Sequence, residues 1–299
     1  MSNVVEVNQL TKAYGNVTAV DGVTFSIEAN KIYGLLGRNG AGKTTIMHMI
    51  TAQLFQTSGE IKVFGENPYE NKHVLSKICF IKESQKYPSA FTIKNVLDVA
   101  ATFFPNWDQQ YAKSLIEDFR LPSNRRLKRL SRGMLSSVGI VIGLASRAPL
   151  TIFDEPYLGL DAVARSLFYN RLIEDYAEHP RTIVLSTHLI DEVNKILEHV
   201  LVIDNGKLLI NEDADVLRGS ATTVTGLAKK VEAFTAGKKV IDNSPLGGFH
   251  SAIVMGRLEE EDIKQAEAFE LALSPVSLQQ LIVHLTGGKS KDKVVGSNE

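Results

Sequence analysis

Apolar and polar positions alternate along the first part of the chain in short segments that predict strands. VVEVNQL (4–10) and VTFSIE (23–28) alternate apolar and polar residues, as strands with one buried face do. KIYGLLG (31–37) predicts a buried strand that runs into a glycine-rich loop, and KTTIMHMITAQL (43–54) predicts the helix after that loop. GEIKVFGE (59–66) predicts one more strand, and the glycines near its two ends mark its limits.

Helical periodicity replaces the strand pattern in the next segment. TIKNVLDVAATFF (92–104), QQYAKSLIEDF (109–119) and SSVGIVIGLAS (136–146) predict helices. Ser131 has the residue type and the position of a helix cap for the third of them. These helices predict a helical insert between two regions that are rich in strands.

Strand and helix patterns then alternate. LTIFDEP (150–156) and RTIVLSTH (181–188) are apolar, β-rich runs, and the helical pattern ARSLFYNRLIEDYA (164–177) separates them. This alternation is typical of a parallel α/β sheet. HVLVIDNGKLLINED (199–213) predicts a closing hairpin with its turn at DNG.

The C-terminal part of the chain mixes short strand and helix patterns. It predicts a small α+β appendage, in which Ser277 and Gln280 form a capping box for the last helix. The end of the chain is polar and predicts disorder. We therefore expect a main domain at 1–219 with a helical subdomain at about 92–148, an accessory domain at 220–287 and a disordered tail at 288–299.

Composition limits the classes of protein that the chain can represent. Thirty-three basic and 34 acidic residues give a net charge of −1, so we expect no nucleic acid as a partner. The longest apolar runs, such as VGIVIGLA (138–145), are shorter than the roughly 20 residues that cross a bilayer. The N-terminus shows no signal-peptide pattern, and the single Cys79 excludes an intrachain disulfide. We expect a cytoplasmic protein that reaches a membrane only through a partner.

The loop GRNGAGKT (37–44) matches the pattern G-x-x-x-x-G-K-[ST] between a predicted strand and a predicted helix. Gly37, Gly40 and Gly42 let the backbone curl, so that its N–H groups point at phosphate oxygens. Lys43 then reaches the β- and γ-phosphates, and Thr44 offers a hydroxyl to Mg²⁺. A chance glycine-rich turn is the alternative, which the flanking strand and helix disfavour. The loop alone predicts only a nucleoside triphosphate. No Asn-Lys-x-Asp motif for guanine is present, which disfavours a GTPase.

Two carboxylates and a histidine follow predicted buried strands. Asp154 and Glu155 end one strand and His188 ends another, and parallel strands open their carboxyl ends onto a ligand crevice. Asp154 is predicted to face Mg²⁺, and Glu155 to hold the attacking water as a general base. His188 is predicted to donate a hydrogen bond to the γ-phosphate. The alternatives are a solvated carboxylate pair before the turn at Pro156 and a structural histidine.

These segments, in this order, resemble the nucleotide-binding subunit of ATP-binding cassette (ABC) transporters over roughly residues 4–217. GRNGAGKTT is similar to the Walker A loop of that family, LTIFDE to Walker B, and LGLD (158–161) to the D-loop. TKAYG (11–15) resembles the loop that stacks on adenine, and His188 resembles the switch histidine. The resemblance implies a P-loop NTPase fold of the ABC type, with an antiparallel β subdomain and a helical insert. It implies nucleotide contacts from Tyr14, Gly37, Arg38, Asn39, Gly40, Ala41, Gly42, Lys43, Thr44, Thr45 and Asp161.

Two further family motifs are present in altered form. RLSRGM (129–134) resembles the Leu-Ser-Gly-Gly-Gln signature, with Arg132 in place of a small residue and Met134 in place of Gln. Ser131 and Gly133 keep the hydroxyl and the close backbone approach that contact the ATP of the opposite subunit. After ICFIK (78–82), where the family has a Gln that contacts Mg²⁺, this sequence has Glu83, with Gln85 two residues later. Glu83 stands at the position of the family's Gln and is therefore the favoured contact to the metal and the nucleotide. Gln85 is the alternative.

The resemblance predicts an ATP-hydrolysing subunit that uses ATP and Mg²⁺ with Glu155, His188 and Lys43 as catalytic residues. It implies a head-to-tail homodimer, or a heterodimer with a related ATPase subunit, that drives a membrane permease from the inner face of the cell membrane. The single short insert and the C-terminal segment resemble bacterial exporters of the ABC-2 type. A regulatory cassette without a permease is the alternative. One phosphate loop disfavours tandem-cassette translation factors, and the globular insert excludes chromosome-maintenance ATPases with a long coiled coil.

Overall fold

The computed structural model describes residues 2–82 and 85–287, which form two compact units. Among these residues, the first unit comprises 2–82, 85–188 and 196–211, and the second comprises 189–195 and 212–287. Among the described residues, no helix is both long enough and apolar enough to span a bilayer.

A six-stranded sheet in the order β5-β6-β7-β3-β8-β9 is the centre of the first unit. β3 pairs in parallel with β7 and β8, and β6 pairs in parallel with β5 and β7. Every residue of β3, β6 and β7 is buried, as expected for parallel strands that are covered on both faces. The strands are β3 (Ile32–Leu36), β5 (Ile78–Lys82), β6 (Leu150–Asp154), β7 (Thr182–Thr187), β8 (His199–Asp204) and β9 (Lys207–Asp213).

The second sheet of the first unit is antiparallel and has the order β2-β1-β4. Its strands are β1 (Asn3–Tyr14), β2 (Val17–Glu28) and β4 (Ser58–Val63). Their apolar faces share one hydrophobic cluster with β3 and with the helix after the phosphate loop, and Leu10, Tyr33 and Ile46 are fully buried in it. This common core fixes the position of the loop between the two sheets.

The helix after the phosphate loop, α1 (Lys43–Ile50), is shorter than the predicted segment 43–54. The Thr51 hydroxyl donates to the Met47 carbonyl at 2.9 Å, and Ala52 adopts φ +55°. A left-handed residue cannot continue an α-helix, so α1 ends there.

Three α-helices lie in the described part of the insert between β5 and β6. Ser131 caps the longest, α5, by accepting a hydrogen bond from the Met134 N–H at 3.2 Å, as predicted. The helices are α3 (Ile93–Phe103), α4 (Gln109–Asp118) and α5 (Arg132–Ala145). The other helices of the first unit are α2 (Lys72–Leu75) and α6 (Ala162–Glu178), with a short 3₁₀ turn at Leu127–Arg129.

The second unit contains a β-α-β-β-α-β segment whose four strands form an antiparallel sheet in the order β11-β12-β10-β13, the ferredoxin-like arrangement. Val224, Phe234 and Val254 are buried in its core. The predicted capping box is present, since Ser277 and Gln280 exchange two hydrogen bonds of 3.2 Å. Its elements are α7 (Ile190–Val193), α8 (Ala214–Arg218), β10 (Ala221–Leu227), α9 (Ala228–Thr235), β11 (Val240–Leu246), β12 (Phe249–Met255), α10 (Glu260–Ala268), β13 (Ala272–Pro275) and α11 (Leu278–Gly287).

Candidate active site

The loop between β3 and α1 forms an open cradle in front of the first turn of α1. Gly37 has φ +146°, and a Cβ there would lie 2.1 Å from the Ile203 carbonyl oxygen, so only glycine fits. α1 begins at Lys43 after Gly42, without a side-chain cap. The first N–H groups of a helix have no intrahelical partner, and with the helix dipole they favour an anion at this end.

Lys43 is buried at the bottom of this cradle. Its ammonium donates to the carbonyl oxygens of Gly37 at 2.7 Å and Arg38 at 3.1 Å. Burial lowers the pKa of Lys43, and the nearby carboxylates of Glu155 and Asp154 oppose that change. The side chain therefore places a positive charge inside the curve of the loop.

Asp154 ends β6 beside the first turn of α1. The Thr44 hydroxyl donates to Asp154 Oδ2 at 2.9 Å. The other carboxylate oxygen, Oδ1, is buried and has no hydrogen-bond partner within the described residues. A buried carboxylate oxygen without a partner is unfavourable unless a ligand satisfies it. Oxygen donors of this kind suit Mg²⁺, so Thr44 and Asp154 fit the predicted metal site.

Glu155 follows immediately in a left-handed conformation, with φ +50°. This backbone conformation costs about 1–2 kcal/mol for a residue with a side chain. It is held in place because the Glu155 amide donates to the Ser186 carbonyl of β7 at 3.1 Å. Burial raises the pKa of the Glu155 carboxyl, while His188 and Lys43 act in the opposite direction. A general base benefits from such a raised pKa.

His188 directly follows β7. Asp154 pairs in parallel with Ser186, so β6 and β7 are neighbours and His188 lies close to Glu155. Nδ1 of His188 lies 3.0 Å from Glu155 Oε2. The two side chains therefore share one end of the site.

These residues line a cavity of about 440 Å³. It brings together seven residues of the loop with Asp154, Glu155 and His188 from the strand ends. Two further lining residues were not predicted as contacts, because neither has a reactive side chain: Ala19 and Leu158, which is the first residue of the predicted D-loop. The predicted loop residues in the lining are Asn39, Gly40, Ala41, Gly42, Lys43, Thr44 and Thr45.

Other predicted site residues do not line this cavity. Gly37 and Arg38 contribute carbonyl oxygens to Lys43 instead. Tyr14 is half exposed at the end of β1, with the Lys12 ammonium 5.1 Å from its ring centroid. Asp161 caps α6 by accepting the Ala164 N–H at 2.8 Å.

The signature and the loop after β5 also lie outside the cavity lining. Ser131 is exposed, and Gly133 packs against Gly159 at the start of α5. Glu83 lies outside the described residues. Gln85 lines a separate apolar groove of about 290 Å³ between β5 and α3.

Comparison with known proteins places the chain in a family. A family model described as "ABC transporter" matches residues 20–158. The chain is 34% identical over 213 residues to the bacitracin transport ATP-binding protein BcrA of Bacillus licheniformis, which covers 70% of this chain and 69% of BcrA. The chain belongs to the ABC transporter family.

The similarity also extends beyond the cassette. The ABC transporter ATP-binding protein YtrB of Bacillus subtilis (strain 168) is 26% identical over 296 residues, which cover 96% of this chain and 99% of YtrB. A solved structure of the ATP-binding subunit of an ABC transporter superposes with a TM-score of 0.66 at 27% identity, covering 72% of this chain and 92% of that subunit. The predicted ABC-type P-loop fold is confirmed, and the chain is an ABC ATPase that binds and hydrolyses ATP.

Proposed function

We propose that this ABC ATPase couples ATP binding and hydrolysis at a head-to-tail dimer interface to transport by a separate membrane permease, in the direction of export. The observation that carries the proposal is that the phosphate loop and the start of α5, which we propose as a second phosphate contact, are separate within one chain. The cradle at Lys43 opens into the cavity, whereas the start of α5 at Ser131 and Gly133 does not line it. The start of α5 therefore needs the phosphates of a second molecule.

The exposed start of α5 suits that role. Ser131 is exposed, and α5 is 14 residues long, so the start of this helix and its dipole favour an anion. Each ATP would lie between the cradle of one chain and Ser131 and Gly133 of its neighbour. ATP would then act as the ligand that closes the dimer, and hydrolysis would reopen it.

Within the closed site, each residue has one proposed task. Lys43 binds the β- and γ-phosphates, Glu155 holds the attacking water and accepts its proton, and His188 donates a hydrogen bond to the γ-phosphate. Bound Mg²⁺ would neutralise phosphate charge, with Thr44 and Asp154 as its contacts on this chain.

The apolar groove beside Gln85 supports a permease as the partner. Phe103 is 68% exposed and Val99 is 41% exposed along its edge, an unusual exposure for apolar side chains that are neighbours. We propose that a cytoplasmic segment of the permease occupies this groove. The name of BcrA, a bacitracin transport protein, agrees with a transport role. The exporter type rests on the resemblance to ABC-2 cassettes.

The decisive experiment is Glu155→Gln. We expect ATP hydrolysis to fall by about 10²-fold or more because the general base is lost. ATP binding should persist, and light scattering after gel filtration should show a dimer in saturating Mg-ATP. Glu178→Gln, an exposed position near the end of α6, is the matched control and should behave as the parent.

Two results would contradict the proposal. Hydrolysis at the parental rate would exclude Glu155 as the base. A variant that stays monomeric in Mg-ATP, alone and with each cassette recovered from the same cells, would exclude the shared site. Affinity purification from native membranes in mild detergent tests the permease, and recovery of no membrane protein would favour a regulatory cassette.

A further inference from the structure

Tyr157 lies two residues after Glu155 and contacts His188 in two ways. Its side chain is buried, with only 3% of its surface exposed. The hydroxyl oxygen accepts the backbone N–H of His188 at 3.1 Å and lies 2.9 Å from Nδ1 of the same residue. The two rings meet edge to face with their centroids 5.5 Å apart. Tyr157 therefore holds both the backbone and the ring of His188.

The protons at this contact decide which nitrogen of His188 can act as a donor. Nδ1 lies close to two groups, the Tyr157 hydroxyl and Glu155 Oε2 at 3.0 Å. A neutral imidazole carries one N–H, and its other nitrogen is an acceptor. If Nδ1 carries the proton, it donates to the Tyr157 hydroxyl oxygen or to Glu155 Oε2, and Nε2 has no proton. If the Tyr157 hydroxyl donates to Nδ1, the ring proton is on Nε2.

The second arrangement is the one that serves the chemistry. The hydroxyl already accepts the His188 backbone N–H, so its own proton is available for Nδ1, the acceptor 2.9 Å away. An N–H at Nε2 leaves His188 with a donor on the nitrogen that neither Tyr157 nor Glu155 contacts. Nδ1 then has no proton to donate to the Glu155 carboxylate, so this carboxylate can accept a hydrogen bond from water.

We propose that Tyr157 is a positioning residue for ATP hydrolysis, whose hydroxyl donates to Nδ1 of His188 and keeps the neutral ring protonated at Nε2. The inference rests on the roles proposed above for Glu155 and His188. Without the hydroxyl, Nδ1–H of His188 donates to the Glu155 carboxylate. Glu155 then no longer holds the attacking water, and Nε2 of His188 has no proton to donate to the γ-phosphate.

The test is Tyr157→Phe, which keeps the ring and removes only the hydroxyl. We expect kcat for ATP to fall about tenfold, the size expected for loss of one hydrogen bond in the site, while KM changes less than about twofold. Tyr111→Phe is the matched control. Its hydroxyl donates to the Arg171 carbonyl at 3.0 Å, and it does not line the cavity, so it should keep the parental kcat. A parental kcat in Tyr157→Phe would overturn the proposal.

A double-mutant cycle separates positioning from general damage. If Tyr157 acts through His188, adding Tyr157→Phe to His188→Ala should cause no further loss of kcat. A further tenfold loss would overturn the proposal. If His188→Ala alone keeps the parental rate, the role proposed for His188 is wrong, and the tautomer measurement then decides the inference about Tyr157.

That measurement is ¹⁵N NMR of histidine-labelled, nucleotide-free protein at a pH where the ring is neutral. The chain has seven histidines, and the signal missing from His188→Ala identifies His188. We expect an Nε2–H tautomer in the parent and a shift toward Nδ1–H in Tyr157→Phe. An Nδ1–H tautomer in the parent would overturn the proposal, even if the Phe variant failed to fold.

Discussion

The contact between Gly133 and Gly159 gives a prediction whose size follows from the structure. A methyl group at Gly133 would lie 2.4 Å from the Gly159 carbonyl oxygen, whereas ordinary contacts begin at 3.4 Å. The neighbour is backbone and cannot rotate away. Gly133→Ala must therefore move either the start of α5 or the loop at Gly159 by about 1 Å.

This displacement falls between two parts of the proposed machinery. The start of α5 carries Ser131, and the loop at Gly159 follows Glu155 and Tyr157 along the chain. A misplacement of about 1 Å can reduce catalysis by about 10²-fold, so we expect ATP hydrolysis to fall between about tenfold and 100-fold. Overpacking costs about 1–3 kcal/mol, and replacing glycine in a helix returns about 1 kcal/mol. The free energy of unfolding should therefore fall by only about 0–2 kcal/mol.

The assay compares hydrolysis, ATP affinity and thermal unfolding in one preparation. Affinity of the isolated chain for ATP should be unchanged, because Gly133 does not line the cavity. Gly219→Ala is the control, since a Cβ there has no heavy atom within 4 Å and the residue has no positive φ. Ser136→Ala, which removes a 2.8 Å hydrogen bond to the Leu158 carbonyl between the same segments, should have a smaller effect. Parental hydrolysis in Gly133→Ala would refute the reasoning, and loss of ATP affinity would show that the damage is general.

Three other predictions concern single buried side chains. Lys43→Ala should lose Mg-ATP binding in a fluorescent-nucleotide titration, because its ammonium is the positive charge inside the cradle, and unchanged affinity would contradict the loop assignment. Burial raises the pKa of the Cys79 thiol to about 12, so iodoacetamide at pH 8 should label it far more slowly in native protein than in urea, and equal rates would contradict that burial. Arg181 is buried, and its guanidinium lies 2.6 Å from the Asp175 carboxylate. Asp175→Ala leaves this charge unpaired and should lower the free energy of unfolding, measured in urea, by about 3–5 kcal/mol. A loss below about 1 kcal/mol would show that the ion pair is dispensable.

Most of the fold was accessible from the sequence because its strands follow simple patterns. Buried apolar runs form β3, β6 and β7. The glycine-rich loop after β3 and the carboxylates at the end of β6 identify these strands as part of the parallel core. Short elements were less accessible. The four-residue α2 contains only one buried residue, which is too few to produce a helical period. The end of α1 depends on the left-handed Ala52, a conformation that alanine does not signal.

The site shows the same division between local and tertiary information. The cluster of Lys43, Asp154, Glu155 and His188 followed from a motif and from the rule that parallel strands open on one side. Tyr157 was missed because the role proposed for it depends on its distance to a residue 31 positions later. An aromatic residue directly after Pro156 was the available signal, but by itself it also fits a core position.

The loop from Glu155 to Leu160 connects two sites on the chain. One is the cavity that contains Glu155, and the other is the start of α5 at Gly133. Glu155 is fixed to β7 through Ser186, Tyr157 holds His188, and Gly159 packs on Gly133. A close-packed contact transmits a displacement instead of absorbing it, because no void is available to take it up. In the proposed dimer, movement of α5 toward the phosphates of a neighbouring chain would therefore press on the loop that carries Glu155, the proposed general base. Coupling of this kind requires no long-range pathway, since at most a few residues separate each contact from the next along the loop.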